Sequence, residues 1–265
     1  MLLTMHIGNT EIALGVHDNE GANPLLFRAV LSSKPEKTAD EYAVLLGQIF
    51  SLHSFDARTI TAVVVSSVVP SLTDTVVAAA AYFTAAKVYR VGSGMKTGLR
   101  IRIDNPAQLG ADLCASAVGA SVRAAAQGST RPIVIASFDT ATALTVMTSP
   151  DEIAGVVIMP GVASAARALE RDTALLTDIA LDPPRRVIGK NTQDALRSGL
   201  LIGCAAQIDG MIMRIAEELG CQPADMHLFA FGKYADRVVP LCENRFESSP
   251  HLLFEGLVAL YRKNR

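Results

Sequence analysis

A strand–turn–strand pattern occurs twice in this chain, with Met5-His6-Ile7-Gly8-Asn9 lying over Ala136-Ser137-Phe138-Asp139-Thr140, 131 positions on. Each copy ends an apolar run of strand length, Leu2 to Ile7 and Pro132 to Ser137. Each then passes through a small polar turn into a returning strand, Glu11 to His17 and Ala141 to Met147. A repeat at that distance in 265 residues predicts two duplicated α/β domains, residues 1–127 and 128–265, each opening with an antiparallel unit and facing a shared cleft. It argues against a single sheet with one parallel strand order.

Between the repeats the periodicity alternates between sheet and helix. A third strand, Leu25 to Leu31, follows an Asn19-Glu20-Gly21 turn. Thr38-Ala39-Asp40-Glu41 has the spacing of a capping box, and Tyr42, Leu45, Leu46 and Ile49 follow at helical intervals. Thr61 to Val65 reads as a buried strand, Pro70 as a helix start, and Gln108 to Ala126 as an Ala-rich helix. In the second half, Gly155 to Met159 is a strand stopped by Pro160-Gly161, followed by a helix to about Ala174 and a long helix from Thr192 to about Leu219. A strand at His227 to Phe231 and a helix at Leu252 to Arg262 complete the pattern. Gly199, Gly203 and Gly210 each cost the long helix roughly 1 kcal/mol relative to Ala, which predicts close approach of another element. Ala115 to Ala126 with Gly199 and Gly203 predict a dimer through the helices beginning near Gln108 and Thr192. The alternative is that these faces are internal core.

With 24 basic against 26 acidic side chains and no basic block, the chain lacks the electrostatic footprint of a nucleic-acid binder. The longest apolar runs, Thr61 to Val69 and Val76 to Ala86, are broken by Ser or Thr and fall short of a membrane span. Met1 to Met5 carries no basic residue before its apolar stretch, so no signal peptide is expected and a cytoplasmic location is. Cys114, Cys204, Cys221 and Cys242 are far apart with no CxxC spacing, which predicts buried free thiols rather than a zinc site or disulfides.

Gly8-Asn9-Thr10, directly after a buried strand, offers backbone N–H groups and two polar side chains suited to phosphate oxygens, although such turns also simply join strands. Thr140-Ala141-Thr142 is a similar turn, and two such hairpins facing a cleft can hold one nucleotide from both sides. Asp112, near a helix start, is either a solvated first-turn residue favoured by the dipole or a general base for a substrate hydroxyl. Asn105-Pro106 and Lys96-Thr97-Gly98 are loop residues able to line a pocket.

Several motifs occur in order along the chain. The first half carries Gly8-Asn9-Thr10, Thr38 to Tyr42, Ser66-Ser67-Val68-Val69-Pro70, Lys96-Thr97-Gly98-Leu99, Asp104-Asn105-Pro106 and Gly110-Ala111-Asp112. Phe138 with Thr140-Ala141-Thr142, Pro160-Gly161 and Ile188-Gly189-Lys190-Asn191-Thr192 follow in the second. The set resembles the type III pantothenate kinases nearly from end to end. The resemblance implies an actin-like, sugar-kinase-like (ASKHA) fold of two duplicated domains, each a mixed sheet flanked by helices. It implies transfer of the ATP γ-phosphate to pantothenate in coenzyme A biosynthesis, with Mg2+ and a monovalent cation, K+ or NH4+. It also implies a dimer, with itself or with a homologous subunit, and no nucleic-acid or membrane partner. Carried over position by position, it makes Asp112 the catalytic base and sets His6, Gly8, Asn9, Thr10, Thr140 and Thr142 against the nucleotide. Ile103, Gly110, Ala111, Leu113 and Thr192 fall on the substrate side, and Ser137 with Asp139 at the cation.

The departures from that pattern fall on the reacting groups. His6 and Ser137 stand where the family ends its two strands in Asp, and Asp139 stands where it has Gly. A carboxylate at that turn crowds and repels phosphate oxygens. Its side chain shares a strand face with Ser137, which leaves a displaced cation site as an alternative. Ile103 replaces a Tyr, Leu113 replaces an Arg, and Phe231-Gly232-Lys233 replaces a Gly-Gly pair. Weak phosphate transfer by the isolated chain is therefore expected. The other readings are a partner or regulatory subunit of a motif-complete homologue, and a metabolite-binding protein.

Overall fold

The computed structural model describes residues 1–18, 25–172 and 179–265. The Asn19-Glu20-Gly21 turn and the predicted helix end at Ala174 lie outside the described residues. The chain divides into two compact units, one of Met1–Gly98, Asn105–Val122 and Leu253–Arg265, the other of Leu99–Asp104 and Arg123–Leu252. The second unit thus takes Leu99–Asp104 from the first half of the chain, and the first unit takes Leu253–Arg265 from the second.

In the first unit, β1 (Leu2–Ile7), β2 (Glu11–His17) and β3 (Leu25–Ser32) form an antiparallel meander. β4 (Ala62–Ser67) joins β1 in parallel and β5 (Lys87–Arg90) joins β4, giving the order β3-β2-β1-β4-β5. Apolar residues of β1 and β2, such as Met5, Ile7, Ile12 and Leu14, pack with Tyr42, Leu46 and Phe50 of α1 (Ala39–Leu52) and Leu72 and Val76 of α2 (Pro70–Ala81). The capping box forms: Thr38 Oγ1 accepts Glu41 N–H at 3.3 Å and Glu41 Oε2 accepts Thr38 N–H at 2.8 Å. These bonds to Thr38 hold the Glu41 carboxyl below the usual carboxylate range.

α3 (Ala111–Ala126) starts later than the predicted Gln108. Asn105 caps a separate 3-10 turn, Pro106–Gln108, and the extended backbone of Leu109 breaks it from the helix. The small residues of α3 are covered within the unit. Ala115, Ala117, Val118 and Ala120 are buried, and a Cβ on Gly256 of α8 (Leu252–Asn264) would collide with the Ala115 carbonyl and lie 3.1 Å from Gly119 N. Of the run predicted for a dimer, Ala115 to Ala120 is buried with α8 against Ala115 and Gly119, whereas Val122, Ala125 and Ala126 are exposed.

The second unit repeats the plan. β7 (Ile133–Phe138), β8 (Ala141–Ser149) and β9 (Glu152–Pro160) form the meander, with β10 (His227–Phe231) parallel to β7 and β11 (Glu247–Ser248) parallel to β10. β6 (Arg100–Ile101) adds an outer strand beside β9, giving β11-β10-β7-β8-β9-β6. Apart from β6, both sheets place their strands in the same sequence-relative order, as duplication requires.

α4 (Val162–Asp172) follows β9. α5 (Thr192–Arg197) and α6 (Gly203–Glu218) continue through a π turn at Ser198–Ile202 as one helix, Thr192–Glu218. That helix is long and apolar enough to cross a membrane, which a search for unbroken apolar runs does not find because polar residues punctuate it. Its Leu201, Ala205, Ile208 and Ile212 are instead buried in this unit's core with Val134, Phe138 and Leu144. A Cβ on Gly199, Gly203 or Gly210 would meet nothing within 4 Å, so no other described element approaches the helix there. Gly210→Ala is accordingly expected to stabilise the protein by roughly 0.5–1 kcal/mol, read as a higher urea midpoint with an unchanged m-value. A lower midpoint would mean that something does pack on that face.

Candidate active site

His6 occupies the fifth position of β1 and Ser137 the fifth of β7, so the two replaced carboxylate positions are structurally equivalent. In the first unit, β1 and β4 pair His6 with Ser66, and His6 Nδ1 lies 3.4 Å from Ser66 Oγ. The turn beyond is closed by Gly8 N–H donating to the Glu11 carbonyl at 2.9 Å. A Cβ on Gly8 would sit 3.3 Å from His6 Nε2, so the imidazole lies over the turn and uses the space that glycine leaves. Asn9 and Thr10 are exposed.

Asp112 is in the first turn of α3, half-buried, as are Gly110, Ala111 and Leu113. A Cβ on Gly110 would be 2.5 Å from Asp112 Oδ1, which shows that the carboxylate folds back over the glycine. Gly110 is thus the residue that gives the Asp112 carboxylate its position. Next to it, burial first and the Asp112 charge second push the Cys114 thiol up to about 11. In the second unit, burial and the Asp209 charge push Cys242 up to about 12. All four cysteines are free, with Cys221 and Cys242 only half-buried.

In the second unit the β7–β8 turn meets two other backbone segments. A Cβ on Gly161, just before α4, would collide with the Asp139 and Thr140 carbonyls, and Ser164 Oγ donates to the Thr140 carbonyl at 2.7 Å. Gly232 has φ +107°, and a Cβ there would lie 2.7–2.8 Å from Phe138 N, C and O. Tyr234 N–H donates to the Phe138 carbonyl at 3.0 Å, and Lys233 N–H donates to Asp139 Oδ1 at 3.0 Å. Asp139 is exposed, whereas Ser137 is buried. Thr142 is 1% exposed and sits beside Cys204 in the core, because it pairs with Phe138 inside the meander.

Ile103 is half-buried in the segment that joins the second unit. Thr192 is exposed at the first position of α5, where Asn191 Oδ1 accepts Asp194 N–H at 2.8 Å. Ser198 Oγ donates to the Val187 carbonyl at 2.5 Å and fixes the preceding loop. Sequence reasoning did not find the cavity of about 420 Å³ lined by Ala163, Arg167, Glu170, Leu200, Tyr234 and Arg237. Arg237 belongs to α7 (Ala235–Val238), which directly follows Tyr234. The signal for it was Gly232, whose positive φ turns the chain from β10 into α7.

Neither the fifth position of β1 nor that of β7, each taken in its own unit, carries a donor suited to a hard divalent cation. Mg2+ prefers carboxylate, phosphate and water oxygens. The two equivalent strand positions instead carry an imidazole and a hydroxyl, and no group of three or more His, Cys, Asp or Glu among the described residues is placed to hold a metal.

A Campylobacter jejuni chain described as a Baf family transcriptional activator matches the structure with a TM-score of 0.55 at 14% identity, covering 98% of this chain and 97% of that one. A Sinorhizobium meliloti chain described as a 2-dehydro-3-deoxygalactonokinase matches with a TM-score of 0.53 at 9% identity, covering 99% and 96%. At these identities the likeness concerns the fold, which is the actin-like, sugar-kinase-like α/β fold. In sequence, the chain is 35% identical over 265 residues to the type III pantothenate kinase of Roseiflexus sp. strain RS-1, with all of both chains covered. It is 35% identical over 269 residues to that of Streptomyces avermitilis, covering 100% of this chain and 98% of the relative. The sequence profile of the family described as type III pantothenate kinase matches residues 2–214, and with these full-length relatives it shows that the chain belongs to the type III pantothenate kinase family.

Proposed function

We propose that this protein binds ATP and pantothenate and carries out ATP-dependent phosphorylation of pantothenate for coenzyme A biosynthesis, slowly when the chain acts alone. The observation that carries the reading is the combination, in a member of this family, of a positioned Asp112 with neutral side chains at both equivalent strand positions, His6 and Ser137. Asp112 takes the proton of the pantothenate hydroxyl as that oxygen forms its bond to the γ-phosphorus and the bond to the ADP oxygen breaks. Gly8, Asn9 and Thr10 on one hairpin, and Thr140 on the other, offer N–H and hydroxyl groups to phosphate oxygens. The cavity beside Tyr234 is of a size for a nucleoside base. Thr192, Gly110 and Ala111 belong to the pantothenate side, where Leu113 and Ile103 supply no charged donor.

Charge stabilisation at the γ-phosphate dominates phosphoryl transfer, so a base without carboxylates to place a divalent cation gives only part of the rate. ATP with a divalent cation is what the family uses, and a monovalent cation, K+ or NH4+, belongs to the same reading. The cytoplasm is the compartment that fits such a biosynthetic enzyme. A second reading, a subunit working with a motif-complete homologue, is favoured by the open face at Gly199, Gly203 and Gly210 on a helix that otherwise packs as core.

A coupled assay with ATP and pantothenate, on the chain alone and mixed with such a homologue, tests both readings. Turnover well below about 1 per second is expected for the chain alone. Turnover at or above that rate would show that the site holds its phosphates by other means. A rise on mixing beyond the homologue's own rate would establish the partner-subunit reading.

A further inference from the structure

We propose that the Asp139 carboxylate occupies, from within the chain, an anion position at the second unit's turn, so that a nucleotide phosphate must compete with it there and polyphosphates bind that turn more weakly. The inference rests on the nucleotide-binding reading above and deepens it. Three backbone segments converge at the ends of β7, β9 and β10. Gly232 brings the backbone against Phe138, and Gly161 brings another segment against Asp139 and Thr140. Both approaches are possible only because neither residue has a Cβ.

The positive φ of Gly232 turns the chain so that the next N–H, that of Lys233, faces the β7–β8 turn. A backbone N–H presented at such a turn is a donor that an anion can accept from. Here the anion is already supplied, because Asp139 Oδ1 accepts from Lys233 N at 3.0 Å. A phosphate oxygen would have to displace that carboxylate and then remain beside its negative charge. Asp139 is exposed, so an entering ligand meets the carboxylate directly.

The test is calorimetric titration of the full-length protein with inorganic tripolyphosphate, for wild type, Asp139→Gly and Asp139→Asn. Asp139→Gly is expected to bind at least tenfold more tightly than wild type, about 1.4 kcal/mol. Asp139→Asn, which keeps the shape and an acceptor oxygen but loses the charge, is expected to gain a smaller factor. The Lys233 amide gives a direct readout of the contact by hydrogen exchange. It should exchange several-fold faster in Asp139→Gly than in wild type, and tripolyphosphate should restore its protection. Equal tripolyphosphate affinity in wild type and both variants, including no binding by any of them, overturns the proposal, as does an unchanged Lys233 exchange rate in Asp139→Gly. None of these measurements uses pantothenate or turnover, so the absence of kinase activity would overturn the proposed function and leave this inference standing.

Discussion

The combined variant His6→Asp, Leu113→Arg, Ser137→Asp, Asp139→Gly is expected to phosphorylate pantothenate at least a hundredfold faster than the wild-type chain, measured by coupled ADP release. The size follows from what each change supplies. Asp at positions 6 and 137 places a hard oxygen donor at the same point of both strands, where an imidazole and a hydroxyl now stand. Removing the Asp139 side chain frees the Lys233 N–H for a phosphate oxygen. Arg at position 113, next to Asp112, gives a carboxylate substrate a fixed two-point donor. A single lost donor to a developing charge costs about a hundredfold or more in related chemistries, so restoring several groups should exceed that. Asp112→Asn in the same background should then remove nearly all of the gain, because the proton of the attacking hydroxyl has no acceptor. A gain under tenfold, or a combined variant indifferent to Asp112→Asn, would refute the assignment of these positions.

The largest effect on stability is expected from Gly256→Ala. A Cβ at this position would collide with the carbonyl of Ala115, which is backbone and cannot rotate away as a side chain could. α8 must therefore lift from α3 and expose part of the buried surface around Ala117 and Val118. Overpacking of this kind costs about 3 kcal/mol or more, which in a chain of this size lowers Tm by roughly 6–12 °C. The effect is opposite in sign to that at Gly210, although both are glycines inside apolar helices. A thermal scan of Gly256→Ala with a Tm within about 2 °C of wild type would mean that α8 does not seat on α3 as described.

The parts of the fold that the sequence made legible are those where local pattern and tertiary burial agree. β1 and β2 have the bounds that their apolar runs suggest, and the Thr38 capping box marks the start of α1. β5, β6 and β11 escaped notice because they are short outer strands, two of them only two residues long, whose pairing is set by neighbours distant in sequence. α3 starts three residues later than its Ala-rich pattern suggests, because a one-turn 3-10 segment capped by Asn105 precedes it.

At the site, the two turns were legible as glycine and small polar residues after buried strands. The burial of Thr142 was not: one residue into β8 it is fully covered, and the turn motif alone does not fix its face. Nor were the Ser66 contact to His6 or the Lys233 contact to Asp139, which join residues 60 and 94 positions apart. Such pairings become visible only when parallel strands set distant segments side by side.

The place of α8 has a consequence for how the protein is made. The first unit's sheet and its two sheet-packing helices are complete in sequence by Arg90, and α3 follows, yet α8, which packs on Ala115 and Gly119 of α3, begins only at Leu252. At a synthesis rate of about 5–20 residues per second, the roughly 130 residues from Arg123 to Leu252 keep that face open to chaperones or to other nascent chains for about 7–25 s. During that interval the second unit, of which all but the short β6 segment is contiguous in sequence, can assemble its own core. The unit begun first during translation is therefore the one finished last, and its exposure to misassembly is set by the length of the other.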